Sequence, residues 1–175
     1  MADPHIKSQL DFIDLITVIF YRLALISAGG ALILSYWMPD LSAIILIVSV
    51  VFSSRCLHIY NKFFRWLLDG AGIFATVLWI SGLMPHLAIG AALFVYSGLA
   101  FKEYFCFRLK ILLLIPIALI GYWFFSAINF SAIPNQIMVS TAFSIIGGGL
   151  LILCGIYKFK MPLHYDIGDK TAYQV

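Results

Sequence analysis

NQIMVSTAFSIIGGGLLILCGIY, residues 135–157, carries no charged side chain and no alternation of apolar with polar positions. The hydrocarbon core of a bilayer is about 30 Å thick, a distance a helix crosses in about 20 residues. A segment of this length and apolarity predicts a membrane-spanning helix, which satisfies its backbone polar groups internally. Five further segments of the same kind precede it, at residues 16–37, 41–60, 64–84, 86–105 and 109–129. The strands of a membrane β-barrel alternate apolar and polar residues, and these runs do not.

Composition excludes the remaining classes. Of 175 residues, 63% are hydrophobic and 11% charged, against about 45–50% and about 25% in soluble domains. Such a chain lacks the polar surface to cover a globule in water, and it is too apolar to stay disordered. The six segments leave no length for a soluble catalytic domain. The expected organisation is a cytoplasmic amphipathic segment at 1–15, a transmembrane domain at 16–157 and a cytoplasmic tail at 158–175. In the first of these, Ile6, Leu10 and Ile13 share one helical face and Lys7, Asp11 and Asp14 another, the pattern of a short interfacial helix. The acidic residues beside Lys7 and the lack of an A-x-A site argue against a cleavable signal peptide.

Basic residues set the orientation. The connections carrying Pro39, Pro85 and Pro134 contain no lysine or arginine. At the opposite ends lie Lys7, then Arg55, Lys62 and Arg65, then Lys102, Arg108 and Lys110, and finally Lys158, Lys160 and Lys170. Lysine and arginine concentrate in cytoplasmic loops, so both termini are expected in the cytoplasm of a bacterium, with the chain in its inner membrane. The fold class expected is an all-α polytopic membrane helix bundle, six transmembrane helices arranged as three hairpins. Each return segment ends in a cysteine with aromatic and basic residues nearby. Short-looped hairpins need such turn formers and anchors without any ancestral repeat.

Charged groups inside spans are costly and mark sites. Arg22, Arg55 and Asp69 each fall within a predicted span near its basic end, and Glu103 lies beside Lys102 at a shallower level. Arginine and lysine can extend toward the interface; aspartate is too short. Asp69 must pair, take a proton or face water, and the expected partner is Arg22 or Arg55. Such a pair pins the bundle, or else the layer forms a binding site for an anionic headgroup, a solute or a proton. No ionic group lies near the midplane, where carriers of charged solutes bind them.

Cofactor chemistry has little footing. The histidines do not share a level suited to a bis-histidine haem, and no catalytic triad, H-E-x-x-H or phosphate loop occurs. Cys56, Cys106 and Cys154 lack C-x-x-C spacing and are weak metal candidates only if their similar depth brings three thiols together. No cofactor is expected. Small-residue ridges run along Ser140, Ser144 and Gly148 and along Ala24 and Ala28, with Gly29 and Gly30 alongside, as at helix contacts in lipid. They serve the bundle itself or a subunit interface.

Two stretches, Leu57-His58-Ile59-Tyr60 followed by Lys62, and Lys102-Glu103-Tyr104-Phe105-Cys106-Phe107, resemble an uncharacterised family of small bacterial integral membrane proteins, a domain family of unknown function. The resemblance implies that His58, Lys102, Glu103 and Cys106 belong to one cytoplasmic-side feature, and it brings no catalytic residues. The leading expectation is a non-enzymatic accessory or assembly component of a membrane complex. The alternative is a small permease or ligand-binding membrane protein using the cluster of Arg22, Arg55, His58, Asp69, Lys102 and Glu103. The partners expected are membrane lipids and a second copy or another membrane protein, with no nucleic acid, because the bases line a membrane face.

Overall fold

The computed structural model describes residues 10–56, 59, 61–107, 109–128, 135–167 and 170. His58, Lys7, Arg108 and Pro134 lie outside them. The described residues form helices and no strand: α1 (Phe12–Leu34), α2 (Pro39–Arg55), α3 (Lys62–Ser81), α4 (Pro85–Phe107), α5 (Leu114–Ala127), α6 (Gln136–Phe159) and the short α7 (His164–Ile167), with a 3-10 turn at Lys110–Leu113 leading into α5.

Local chemistry explains the boundaries. Asp11 N–H donates to Asp14 Oδ2 at 2.9 Å, which closes the first turn of α1. Phe12 opens a continuous helix that runs to Leu34, and most of the expected amphipathic segment lies outside the described residues. Pro39 starts α2 and Pro85 starts α4, positions where a missing N–H costs nothing. Asn61 Oδ1 accepts from Phe64 N–H at 3.0 Å and caps α3. Gly82, at φ 66°, ends α3 in the left-handed conformation that glycine adopts without strain. The second expected span ends early, at Arg55 rather than near residue 60.

The six long helices close into a ring. α1 packs on α2 and α6, α5 on α6 and α4, and α3 on α4 and α2, with α2 also touching α4. The seam between α1 and α6 is the tightest. A Cβ placed on Gly29 would lie 2.5 Å from the Gly148 carbonyl oxygen, and one on Gly148 would lie 2.5 Å from that of Gly29. Ala24, Ala28, Ser140 and Ser144 are buried, so both small-residue ridges are engaged within the bundle. Gly30 and Gly149 face open space.

The outside of the molecule is apolar. Ile80, Leu83 and Phe63 are 79%, 77% and 76% exposed, and large apolar side chains emerge from every long helix. Soluble monomers rarely expose contiguous patches of this kind. Among the described residues four helices are long and apolar enough to cross a membrane: Phe12–Leu34, Lys62–Ser81, Lys110–Ala127 and Gln136–Phe159.

A polar knot interrupts the apolar interior. Tyr96 Oη, on α4, donates to Ser49 Oγ on α2 at 2.8 Å. Ser53 Oγ lies 3.0 Å from the same phenol and 2.7 Å from the Ser49 carbonyl oxygen. All three side chains are buried. Tyr96→Phe removes one such donor and is expected to cost about 0.5–1.5 kcal/mol. Reversible unfolding in detergent measures it; an unchanged unfolding free energy would mean the knot is not stabilising.

Candidate functional site

The charged residues gather at the basic end of the ring, and of the two partners expected for Asp69 it is Arg55 that meets it. Arg22 does not meet Asp69. Its Nε and Nη2 donate to Asp166 Oδ2 on α7 at 2.8 and 2.6 Å, and its guanidinium also reaches the Met161 and Pro162 carbonyl oxygens. One arginine thus holds the turn after α6 and the carboxylate that follows. The geometry uses the planar fork of guanidinium. Arg22 sits fully inside the protein rather than extending toward an interface.

Lys158, near the end of α6, sits between two carboxylates. Its Nζ lies 2.7 Å from Glu103 Oε2 and also pairs with Asp166 Oδ1. Tyr21 donates to Glu103 Oε1 at 2.5 Å, and Lys102 Nζ approaches that oxygen at 3.5 Å. Both ammonium groups lie against the Tyr21 ring, at 4.8 Å for Lys102 and 5.1 Å for Lys158, favourable cation–π positions. Residues from α1, α4, α6 and α7 are thereby joined in one network of three cations and two carboxylates.

Arg55 and Asp69 form a separate, peripheral pair, 3.3 Å apart, with side chains 60% and 27% exposed. Among the described residues Asp69 Oδ1 has no hydrogen-bond partner. Asp69→Asn is therefore expected to cost under about 1 kcal/mol, the scale of exposed ion pairs. A melting-temperature loss matching that of a Glu103 substitution would refute this ranking.

The sequence reading missed Lys158, Asp166 and Tyr21. Lys158 looks like one more basic flank, and Asp166 falls in a polar tail with no periodic signal. The clue was Arg22: a cation well inside α1 whose nearby helices supply too few acids. Among the described residues no group of three or more His, Cys, Asp or Glu side chains gathers to hold a metal. Cys56 and Cys106 are half-buried, and Cys154 is buried.

Burial opposes ionisation of Asp166, but the charges of Lys158, Lys102 and Arg22 hold its carboxyl below the usual carboxylate range. A carboxylate depressed on folding adds stability that is fully present above its unfolded value, about 3.9. That stability is lost as pH falls through the lower folded value. The melting-temperature gap between the natural chain and Asp166→Asn is expected to stay constant from neutrality to about pH 5 and to shrink below about pH 4. A gap undiminished at pH 3 would place the effect elsewhere.

Beside this network lies a cavity of about 730 Å³. Leu68, Phe94, Phe101 and Phe105 supply an apolar wall; Lys102, Glu103, Lys158 and Asp166 form a charged one. Phe94, Phe101 and Phe105 are exposed, so the cavity is open to the outside of the molecule. Tyr165, Asp166 and Ile167 of α7 form part of its lining. The arrangement is amphipathic: an apolar chain meets matching surface along its length and ionic groups at one end.

Helices with apolar outward faces and a buried ionic network define an integral membrane protein. The chain belongs to the family described as uncharacterized integral membrane protein (DUF2301), whose model matches residues 76–175. It is 45% identical to an uncharacterized protein of Haemophilus influenzae over 175 residues, 100% of each chain. No solved structure matches it.

Proposed function

We infer that this is a ligand-binding membrane protein that takes an amphipathic molecule from the bilayer into the cavity beside Lys102 and Glu103. The observation that carries the reading is the cavity itself, apolar along one wall, ionic at one end and lined by exposed phenylalanines of α4. Its volume falls in the range of small-molecule sites, about 300–1,000 Å³. An accessory role in a larger complex is less well supported, because the small-residue ridges that would dock a partner pack α1 against α6. The topology proposed is six spans in three hairpins, with both termini in the cytoplasm and the chain in a bacterial inner membrane. What supports it is the ring of six long helices and the collection of lysine and arginine at one end.

Cys106 lines the cavity and is partly exposed, so its alkylation reports occupancy. In purified protein, a long-chain alcohol or acid is expected to slow N-ethylmaleimide labelling of Cys106, read by mass spectrometry, while acetate leaves it unchanged. Labelling that neither long-chain compound slows would overturn the reading.

A further inference from the structure

We propose that the ligand is a single-chain amphiphile with a monoanionic head, a long-chain carboxylate in chemical class, and that Lys102 is the group that binds the head. This rests on the binding reading above and specifies it. Charge balance leads to it. Among the described residues the network holds Arg22, Lys102 and Lys158 against Glu103 and Asp166, leaving one positive charge. A charge in poorly solvated surroundings is costly unless paired and hydrogen-bonded. One monoanion completes the balance; a cationic head would double the excess.

Placement assigns the head to Lys102 rather than its neighbours. The side chains of Arg22 and Lys158 are 2% and 3% exposed, that of Lys102 14%. Arg22 is committed to Asp166 and two carbonyl oxygens, and Lys158 lies between both carboxylates. Lys102 has the longest ionic contact of the network, 3.5 Å, and lines the cavity. An ammonium group has three donors, so it can hold an incoming carboxylate while staying near Glu103. Cavity size sets the rest of the ligand: about 730 Å³ accommodates one chain of drug-like bulk rather than the two of a phospholipid.

Lys102 and Cys106 are four residues apart on α4, hence on one helical face, and the same labelling assay resolves head from chain. Hexadecanoic acid, hexadecanol and hexadecylamine share a chain and differ in head charge. The acid is expected to protect Cys106 at about tenfold lower concentration than the alcohol, the scale of one charge-assisted hydrogen bond, with the amine weakest. In Lys102→Gln the acid and alcohol are expected to become equivalent, while Lys102→Arg keeps the preference. Protection by the alcohol in each variant shows that the cavity is intact. Equal protection by acid and alcohol in the natural chain overturns the head assignment and leaves the cavity reading standing. Preference for the amine overturns it too, as does an acid preference that survives Lys102→Gln. Protection by none of the three overturns both readings.

Discussion

Glu103→Ala is expected to destabilise the protein by about 3–5 kcal/mol, the cost of removing one partner from a buried ion pair. Glu103 accepts from Tyr21 and faces both Lys158 and Lys102. Truncating it leaves the Lys158 ammonium beside Asp166 alone and the Tyr21 hydroxyl without its acceptor. The loss comes chiefly from charge left unpaired, so it is open to rescue. Glu103→Gln keeps an acceptor for Tyr21 and is expected to cost less. Glu103→Leu combined with Lys158→Met replaces the pair with apolar volume, an exchange that is often neutral or stabilising. It is expected to recover much of the stability, with Arg22 still holding Asp166. Unfolding in detergent measures all three. If the double variant is no better than Glu103→Ala, the network contributes shape rather than charge compensation.

Gly148→Leu is expected to force α1 and α6 apart and to cost more than about 3 kcal/mol, beyond the usual range for an overfilled core. The obstruction is a carbonyl oxygen of Gly29, part of a helix backbone, together with Ile33 and Leu32. Backbone cannot swing aside as the end of a side chain can. Gly149→Ala is the control: a methyl there meets nothing within 4 Å. Alanine exceeds glycine in helix propensity by about 1 kcal/mol in water, so the control should be neutral or slightly stabilising. Thermal unfolding of both variants distinguishes a steric seam from a general intolerance of change in this glycine run. Equal effects at 148 and 149 would refute the packing account.

Apolar runs reveal helices because each must be long enough to cross lipid, and prolines reveal tips because they lack the N–H a helix interior needs. Pro39 and Pro85 therefore mark the starts of α2 and α4 before any coordinates are known. Asp69 drew attention as a carboxylate inside a span, and it does lie beside Arg55. The stronger network was less legible because its members are far apart in the chain. Arg22 and Asp166 are 144 positions apart, and no local periodicity reports a contact of that separation. Lys158 resembled an interfacial anchor, because a lysine closing an apolar helix usually reaches water. It turns inward to Asp166 of α7, four residues long, which Arg22 also holds.

The separation of Arg22 from Asp166 matters during biosynthesis. Arg22 leaves the ribosome 144 residues ahead of its counterion, an interval of roughly 7–30 s at elongation rates of about 5–20 residues per second. Throughout that time the nascent chain holds a guanidinium whose permanent acceptor has not been made. Translation stopping just short of residue 166 would release a protein with every long helix complete and Arg22 held only by the Met161 and Pro162 carbonyl oxygens, without a counterion.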